Sequence, residues 1–256
     1  MTATLTYRDR AAVITLNRPE AMNALNAEMV RTIGMLIDEV ARSDSSALVI
    51  VGAGGKAFCA GADIKGILGK DQEQQQQFAR VGQQTFARLD VLRIPSIAVI
   101  GGVAFGGGLE LAMSCNFRVA TPTARFGLPE IKLGLIPGYG GTQRLSRLVG
   151  MSRALEIIST GRTVKAEEAE RIGLVNLIDD GEDHVAMGLG FAASLGSPPP
   201  ASFEMARNAV IQGFGLSLKE GLELEARLFA SATQTKDATE GMTAFLDKRK
   251  PSFVGA

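Results

Sequence analysis

The chain has 256 residues, 46% of them apolar, and its 27 Lys and Arg balance 27 Asp and Glu. That length supports a sizeable buried core, and the even charge removes the electrostatic basis for attracting nucleic acid or an anionic membrane surface. Two cysteines without a CxxC pattern, with His184 as the single histidine, argue against a disulfide framework and against a zinc site.

The opening MTATLTYRDR has no apolar signal core and carries Asp9, so no leader is expected. The longest uncharged run, 94–109, is glycine-rich and too short for a membrane span. A cytoplasmic protein is the simplest expectation. Short β-type runs recur at 11–17, 47–53, 96–103, 117–121 and 174–178, several of them continuously apolar, as strands buried on both faces are. Between them lie helical patterns. Met29, Val30, Ile33, Leu36, Ile37 and Val40 repeat at helical spacing, with Asn26 as N-cap. The stretch 71–93 opens on QEQQQQ and turns amphipathic at Phe78, Val81, Phe86 and Leu89; disorder is the competing reading for 69–76. Strand–helix alternation to about residue 180 predicts α/β layers. The breaker SPPP at 197–200 marks a boundary between a core over 1–196 and a helical region over 197–256. In the latter, Leu218, Leu222, Ala226 and Phe229 form one stripe, and a last helix ends at Pro251.

Three segments carry chemistry. In GGVAFGGGLELAMSCN (101–116) a strand runs into consecutive glycines and then a helix. Each glycine costs ~1 kcal/mol in a helix interior relative to Ala, so the run points to close backbone approach. The first N–H groups of the helix lack intrahelical partners and face a developing oxyanion readily. Glu110 is the only charged residue between Arg93 and Arg118 and falls one turn after Gly107. A lone acid in an apolar run has a raised pKa and suits acid–base work; a buried pair with Arg118, or a solvent-facing side chain, is the alternative. In KAFCAGADIK (56–65), Gly61 and Ala62 precede a short helix start with Asp63 as its capping acid, so the Ala62 N–H is a second free donor. An ordinary strand-to-helix loop is the plain alternative there. In FGLPEIKLGLIPGYGGTQRL (126–145), Glu130 follows Pro129, and Gly138, Gly140 and Gly141 precede another helix; a surface turn acid is the plain alternative for Glu130.

Other patterns fail. GAGGKA (52–57) matches a loose dinucleotide fingerprint, but no helix follows directly and no strand-end acid stands about 20 residues on. GMSRA (150–154) lacks the second glycine of a serine elbow, His184 sits in a charged stretch that reads as exposed, and Cys59 reads as a small buried thiol.

Together with LNRPEAMNALN (16–26), TGRTVKAEEAERIGLVN (160–176) and GMTAFLDKRKPSF (241–253), these segments resemble the enoyl-CoA hydratase/isomerase (crotonase) family in order and spacing over nearly the whole chain. The resemblance implies an α/β fold, a crotonase-like β-β-α superhelix with a C-terminal helical trimerisation region, assembled as a homo-oligomer, trimers or dimers of trimers. It implies an oxyanion hole from the Ala62 and Gly107 N–H groups, a coenzyme A site lined by Ala60, Ala62, Asp63, Ile64 and Lys65, and catalytic Glu110 and Glu130. It places Gly138 near the reacting water and Lys248 toward a phosphate of coenzyme A on a neighbouring subunit. No metal or separate cofactor is expected, since coenzyme A is part of the acyl-CoA substrate. The expected reaction is hydration of a trans-2-enoyl-CoA; double-bond isomerisation and a non-catalytic thioester-binding subunit are the alternatives. Gly66 stands where the family commonly has an acid, and Cys59 where it has a small Ala or Ser.

Overall fold

The computed structural model describes residues 1–255. It divides into two compact units, one formed by Met1–Val91 with Pro95–Ser194 and the other by Leu92–Ile94 with Leu195 onward.

The first unit opens on a hairpin, β1 (Ala3–Arg8) and β2 (Ala11–Leu16), closed by Asp9 and Arg10 at φ 47° and 66°. Positive φ at both turn residues matches the twist of the flanking strands. There follow α1 (Ala27–Ala41), β3 (Ala47–Gly52), β4 (Ala57–Cys59) and α2 (Gln72–Asp90). Next come β5 (Ser96–Ile100), β6 (Val103–Phe105), α3 (Gly107–Ser114), β7 (Phe117–Ala120) and β8 (Arg125–Gly127). The unit ends with α4 (Gly141–Val149), α5 (Met151–Thr160), β9 (Val164–Lys165), α6 (Ala166–Arg171), β10 (Leu177–Ile178) and α7 (His184–Ser194).

Two sheets result, ordered β1-β2-β3-β5-β7-β10 and β4-β6-β8-β9. The pairs β3/β4, β5/β6 and β7/β8 each lay one strand in either sheet before the chain moves on, and the inner pairings are parallel. This is the expected β-β-α superhelix. Every residue of β5 and nearly every residue of β3 is buried, which explains their continuously apolar sequences. One face of the larger sheet, through Val49, Val99 and Val119, packs against Met187 of α7.

The structure corrects the sequence reading at several points. The run 96–103 is not one strand: it breaks at Gly101–Gly102 and feeds both sheets. A Cβ on Gly102 would stand 2.2 Å from the Lys56 carbonyl oxygen, so the corner admits no side chain. Of the run 174–178 only Leu177–Ile178 is strand; the Asn176 side chain instead accepts the Arg118 N–H. The QEQQQQ stretch is the exposed start of a helix, as the favoured reading has it, begun by a capping box between Asp71 and Gln74. Phe86 and Leu89 are buried on α2, whereas Val81 is exposed. Asn26 caps α1 as expected, accepting the Met29 N–H at 2.8 Å. His184 is half-buried rather than exposed, its ring lying where a Cβ on Gly101 would point.

The second unit carries α8 (Pro200–Gly213), α9 (Leu218–Ala232) and α10 (Lys236–Leu246). Ser217 and Glu220 form a capping box at α9. The stripe read from the sequence on that helix stays exposed in the chain, with Leu218, Leu222 and Phe229 all open to solvent. Buried Asp237 on α10 accepts the N–H groups of Val254 and Gly255, fastening the chain end to the helix. Among the described residues, no helix is long and apolar enough to cross a membrane.

Candidate active site

The site is built where β6 turns into α3, and each of its three successive glycines is required for a different reason. Gly106 adopts φ 49° and ψ −126°, a conformation that side chains resist, and a Cβ there would lie 2.8 Å from Glu130 Oε1. A Cβ on Gly107 would lie 3.2 Å from the Ala62 nitrogen, and one on Gly108 only 2.2 Å from the Cys59 carbonyl oxygen. The run therefore brings the start of α3 into contact with the segment after β4 and with Glu130.

Ala62 is presented by a single parallel bridge to Leu25. The Leu25 N–H donates to the Gly61 carbonyl and the Asp63 N–H to the Leu25 carbonyl, at 2.8 and 2.9 Å. That pattern skips the Ala62 N–H and turns it away from Leu25. Gly107, as the first residue of α3, has no carbonyl behind it within the helix. Among the described residues, neither N–H donates to a backbone or side-chain acceptor. A Cβ on Gly61 would stand 3.7 Å from the Gly107 nitrogen, so the two amides share one small space.

Glu110, in the first turn of α3, is 2% exposed. Its Oε1 accepts the N–H groups of Tyr139 at 2.8 Å and Gly141 at 2.6 Å. Burial pushes its carboxyl up to about 7; the Glu130 charge adds to this, while the two amides and Arg144 oppose it. Arg118, the alternative partner read from the sequence, is not involved. It is buried, donating Nε to the Leu174 carbonyl and Nη1 to the Cys115 carbonyl. Glu130 sits in the single helical turn Pro129–Leu133. Its Oε2 is buried without a hydrogen-bond partner among the described residues, and burial raises its pKa as well. The Glu130 charge thus reaches Glu110, whose carboxyl is held by two amides, whereas Glu130 Oε2 has no partner among the described residues.

The remaining expected residues divide. The Ala60 N–H donates to the Met22 carbonyl, and Asp63 caps the short turn Ile64–Gly66 and pairs with Arg18 at 3.6 Å. Ile64 and Lys65 are exposed beside Ala62. The Gly138 carbonyl accepts from the Gln83 side chain at 2.8 Å, one residue before the amide that holds Glu110. Lys248 belongs to the second unit, just beyond α10, with φ 54°. Cys59 is fully buried with its thiol pushed up to about 12, so it stays protonated and inert.

Two contributors were missed from the sequence. Asn23 is fully buried; its Nδ2 donates to the Ala53 and Ala57 carbonyls and its Oδ1 accepts the Arg18 N–H. It ties the 18–25 loop to the β3–β4 connection and so aligns Leu25 with Ala62. Tyr139 is buried with its ring 5.3 Å from Phe78 and edge-on to Phe86 at 5.6 Å. The only hint in the sequence was an aromatic residue between glycines at 138 and 140. Among the described residues, no group of three His, Cys, Asp or Glu side chains is placed to hold a metal ion.

Comparison with known proteins places the chain in a family. A family model described as enoyl-CoA hydratase/isomerase matches residues 7–256. A probable enoyl-CoA hydratase of Mycobacterium bovis is 43% identical over 98% of this chain and 97% of its own length. A short-chain-enoyl-CoA hydratase of Clostridium acetobutylicum is 40% identical over 94% of this chain and 93% of its own. The crystal structure of an enoyl-CoA hydratase from Bacillus anthracis superimposes with a TM-score of 0.93 at 35% identity, covering 100% of both chains.

Proposed function

The chain belongs to the enoyl-CoA hydratase/isomerase family, and on that footing we propose that it hydrates a trans-2-enoyl-CoA to the 3-hydroxyacyl-CoA. The observation that carries this reading is the meeting of two undonated amides, Ala62 and Gly107, with two buried carboxyls of raised pKa.

The thioester oxygen lies between the Ala62 and Gly107 N–H groups. Water adds to C3, and the electron pair of the double bond moves through C2 onto that oxygen as an enolate. The two fixed donors stabilise it where the charge develops, a contribution of ~10²–10³ in rate for each. Glu110 takes a proton from the attacking water. Its two amide donors on Oε1 keep the ionised form accessible near neutral pH. Glu130 carries the other proton, since burial of an unpartnered carboxyl oxygen favours the neutral form, and delivers it to C2. Exchange with solvent then returns a proton to Glu130 and removes one from Glu110.

Coenzyme A is held along Ala60 to Lys65, with Lys248 of a neighbouring subunit toward a phosphate in a homo-oligomer, a trimer or a dimer of trimers. The carboxyl pair favours hydration over double-bond migration, because both a base for water and an acid for C2 are present. A panel of enoyl-CoA thioesters from C4 to C16, followed by loss of enoyl absorbance, tests the reading. Hydration of at least one supports it; coenzyme A binding without turnover on any overturns it.

A further inference from the structure

Between α1 and the first half of α2 lies an open groove of about 660 Å³, within the ~300–1,000 Å³ typical of small-molecule sites. Ala27, Val30, Phe78 and Val81 give it an apolar lining, and Arg31 and Lys70 lie among the polar residues that share it. Tyr139 also lines it, and among the described residues it is the one common to this groove and to the catalytic space. Its N–H holds Glu110 Oε1. Its Cδ2 lies 3.2 Å from the point where a Gly107 Cβ would stand, a point itself 3.2 Å from the Ala62 nitrogen.

The ring therefore stands between the thioester cradle and the groove. It is also clamped there. Phe78 and Phe86 pack on it, and a Cβ on Gly82 would fall 2.2 Å from it, so α2 offers bare backbone to the ring. A side chain wedged in this way is not free to swing, because interiors are packed as densely as crystals.

We propose that Tyr139 is a specificity-determining gate, whose ring ends the acyl pocket at short chains and separates it from a ready-made groove between α1 and α2. The inference rests on the enoyl thioester reading above. With the carbonyl at Ala62 and Gly107 and C3 beside Glu110, carbons beyond C4 run toward the residue whose amide holds Glu110. Once the ring is gone, the apolar lining of the groove takes the tail. Each additional buried methylene is then worth about fourfold in affinity.

The test is kcat/KM for trans-2-enoyl-CoA thioesters of C4, C8 and C12 in wild type, Tyr139→Phe, Tyr139→Ala and Tyr139→Leu. Thermal unfolding of each variant is measured alongside, and Tyr139→Leu keeps enough volume to report if Tyr139→Ala fails to fold. The wild type is expected to favour C4, and Tyr139→Phe, which keeps the ring, to preserve its C12:C4 ratio. Tyr139→Leu and Tyr139→Ala are expected to raise that ratio by at least about tenfold. Adding Val81→Trp to Tyr139→Leu, which fills the groove, should cancel the gain. An unchanged ratio in folded Tyr139→Leu with C4 turnover retained, or a wild type that handles C12 as well as C4, overturns the gate alone. Absence of hydration at every length in the wild type overturns the hydratase reading with it.

Discussion

The Gly141 N–H donates to Glu110 Oε1 across 2.6 Å, at the first residue of α4. A helix start favours the ionised acid, yet burial prevails and leaves the carboxyl at about 7 against an ordinary value of 4.5. Between those two values the folded chain binds more protons than the unfolded one. Stability is therefore fully present below about 4.5 and is lost as pH rises through about 7. The loss is on the order of 3 kcal/mol. Glu110→Gln cannot ionise but keeps an acceptor oxygen for both amides. It is expected to melt above the wild type at pH 8 and level with it near pH 4. Calorimetric scans at the two pH values check this; the same offset at both would contradict it.

The pH dependence of turnover runs the other way. Glu110 must be ionised to accept a proton from water, so kcat/KM with crotonyl-CoA rises through about 7. In the proposed mechanism Glu130 must be protonated to serve C2, and burial raises its pKa in that direction, so its ionisation lowers the rate as pH rises. Glu130→Gln cannot ionise and is expected to lose the fall that Glu130 ionisation causes while keeping the rise set by Glu110, at a rate lower by ~10²–10⁴. A profile with both limbs intact in that variant would remove Glu130 from the proton inventory.

Neighbouring glycines are expected to fail in different ways. Gly108→Ala drives a Cβ to 2.2 Å from the Cys59 carbonyl and should destabilise the fold by ~1–3 kcal/mol. Gly107→Ala meets the Ala62 nitrogen, Leu25 and Tyr139 at 3.2 Å without a positive-φ penalty, so it should cost less stability than Gly108→Ala. By crowding the space for the thioester oxygen it should lower kcat/KM by ~10²–10³. Denaturant midpoints paired with initial rates separate the two; equal loss of stability in both would undo the distinction.

The candidate site was largely legible in the sequence because its residues are locally anomalous. Consecutive glycines at 106–108 and a lone acid at Glu110 in an apolar run conflict with ordinary helix preferences, and the conflict itself marks a site. Glu130 read equally well as a turn acid, and only the Gly106 contact gives it its place. The corner at Gly101–Gly102 was hidden because apolar content continues across it, and nothing local announces that the strand changes sheet. Asn23 and Tyr139 were invisible for a related reason. The acceptors of the Asn23 side-chain amide lie 30 and 34 residues away, and the ring of Tyr139 rests on a helix more than 50 residues earlier.

Asn23 gives a test of how the donor at Ala62 is positioned. Asn23→Ala strips the Ala53 and Ala57 carbonyls of their side-chain donor and puts alanine at φ 57°. The unpaired groups cost ~1–3 kcal/mol. Since the loop it anchors aligns Leu25 with Ala62, KM for crotonyl-CoA should rise together with the loss of stability. A variant that unfolds at a lower denaturant concentration but binds substrate as before would show that the loop is scaffold only.

The most direct measurement is crotonyl-CoA hydration by Glu110→Gln and Glu130→Gln beside the wild type, each confirmed as folded by its unfolding transition. Removal of a proton-transfer group is expected to lower kcat by ~10²–10⁴ in each variant, with coenzyme A thioester binding retained. Wild-type turnover in either folded variant would contradict the account.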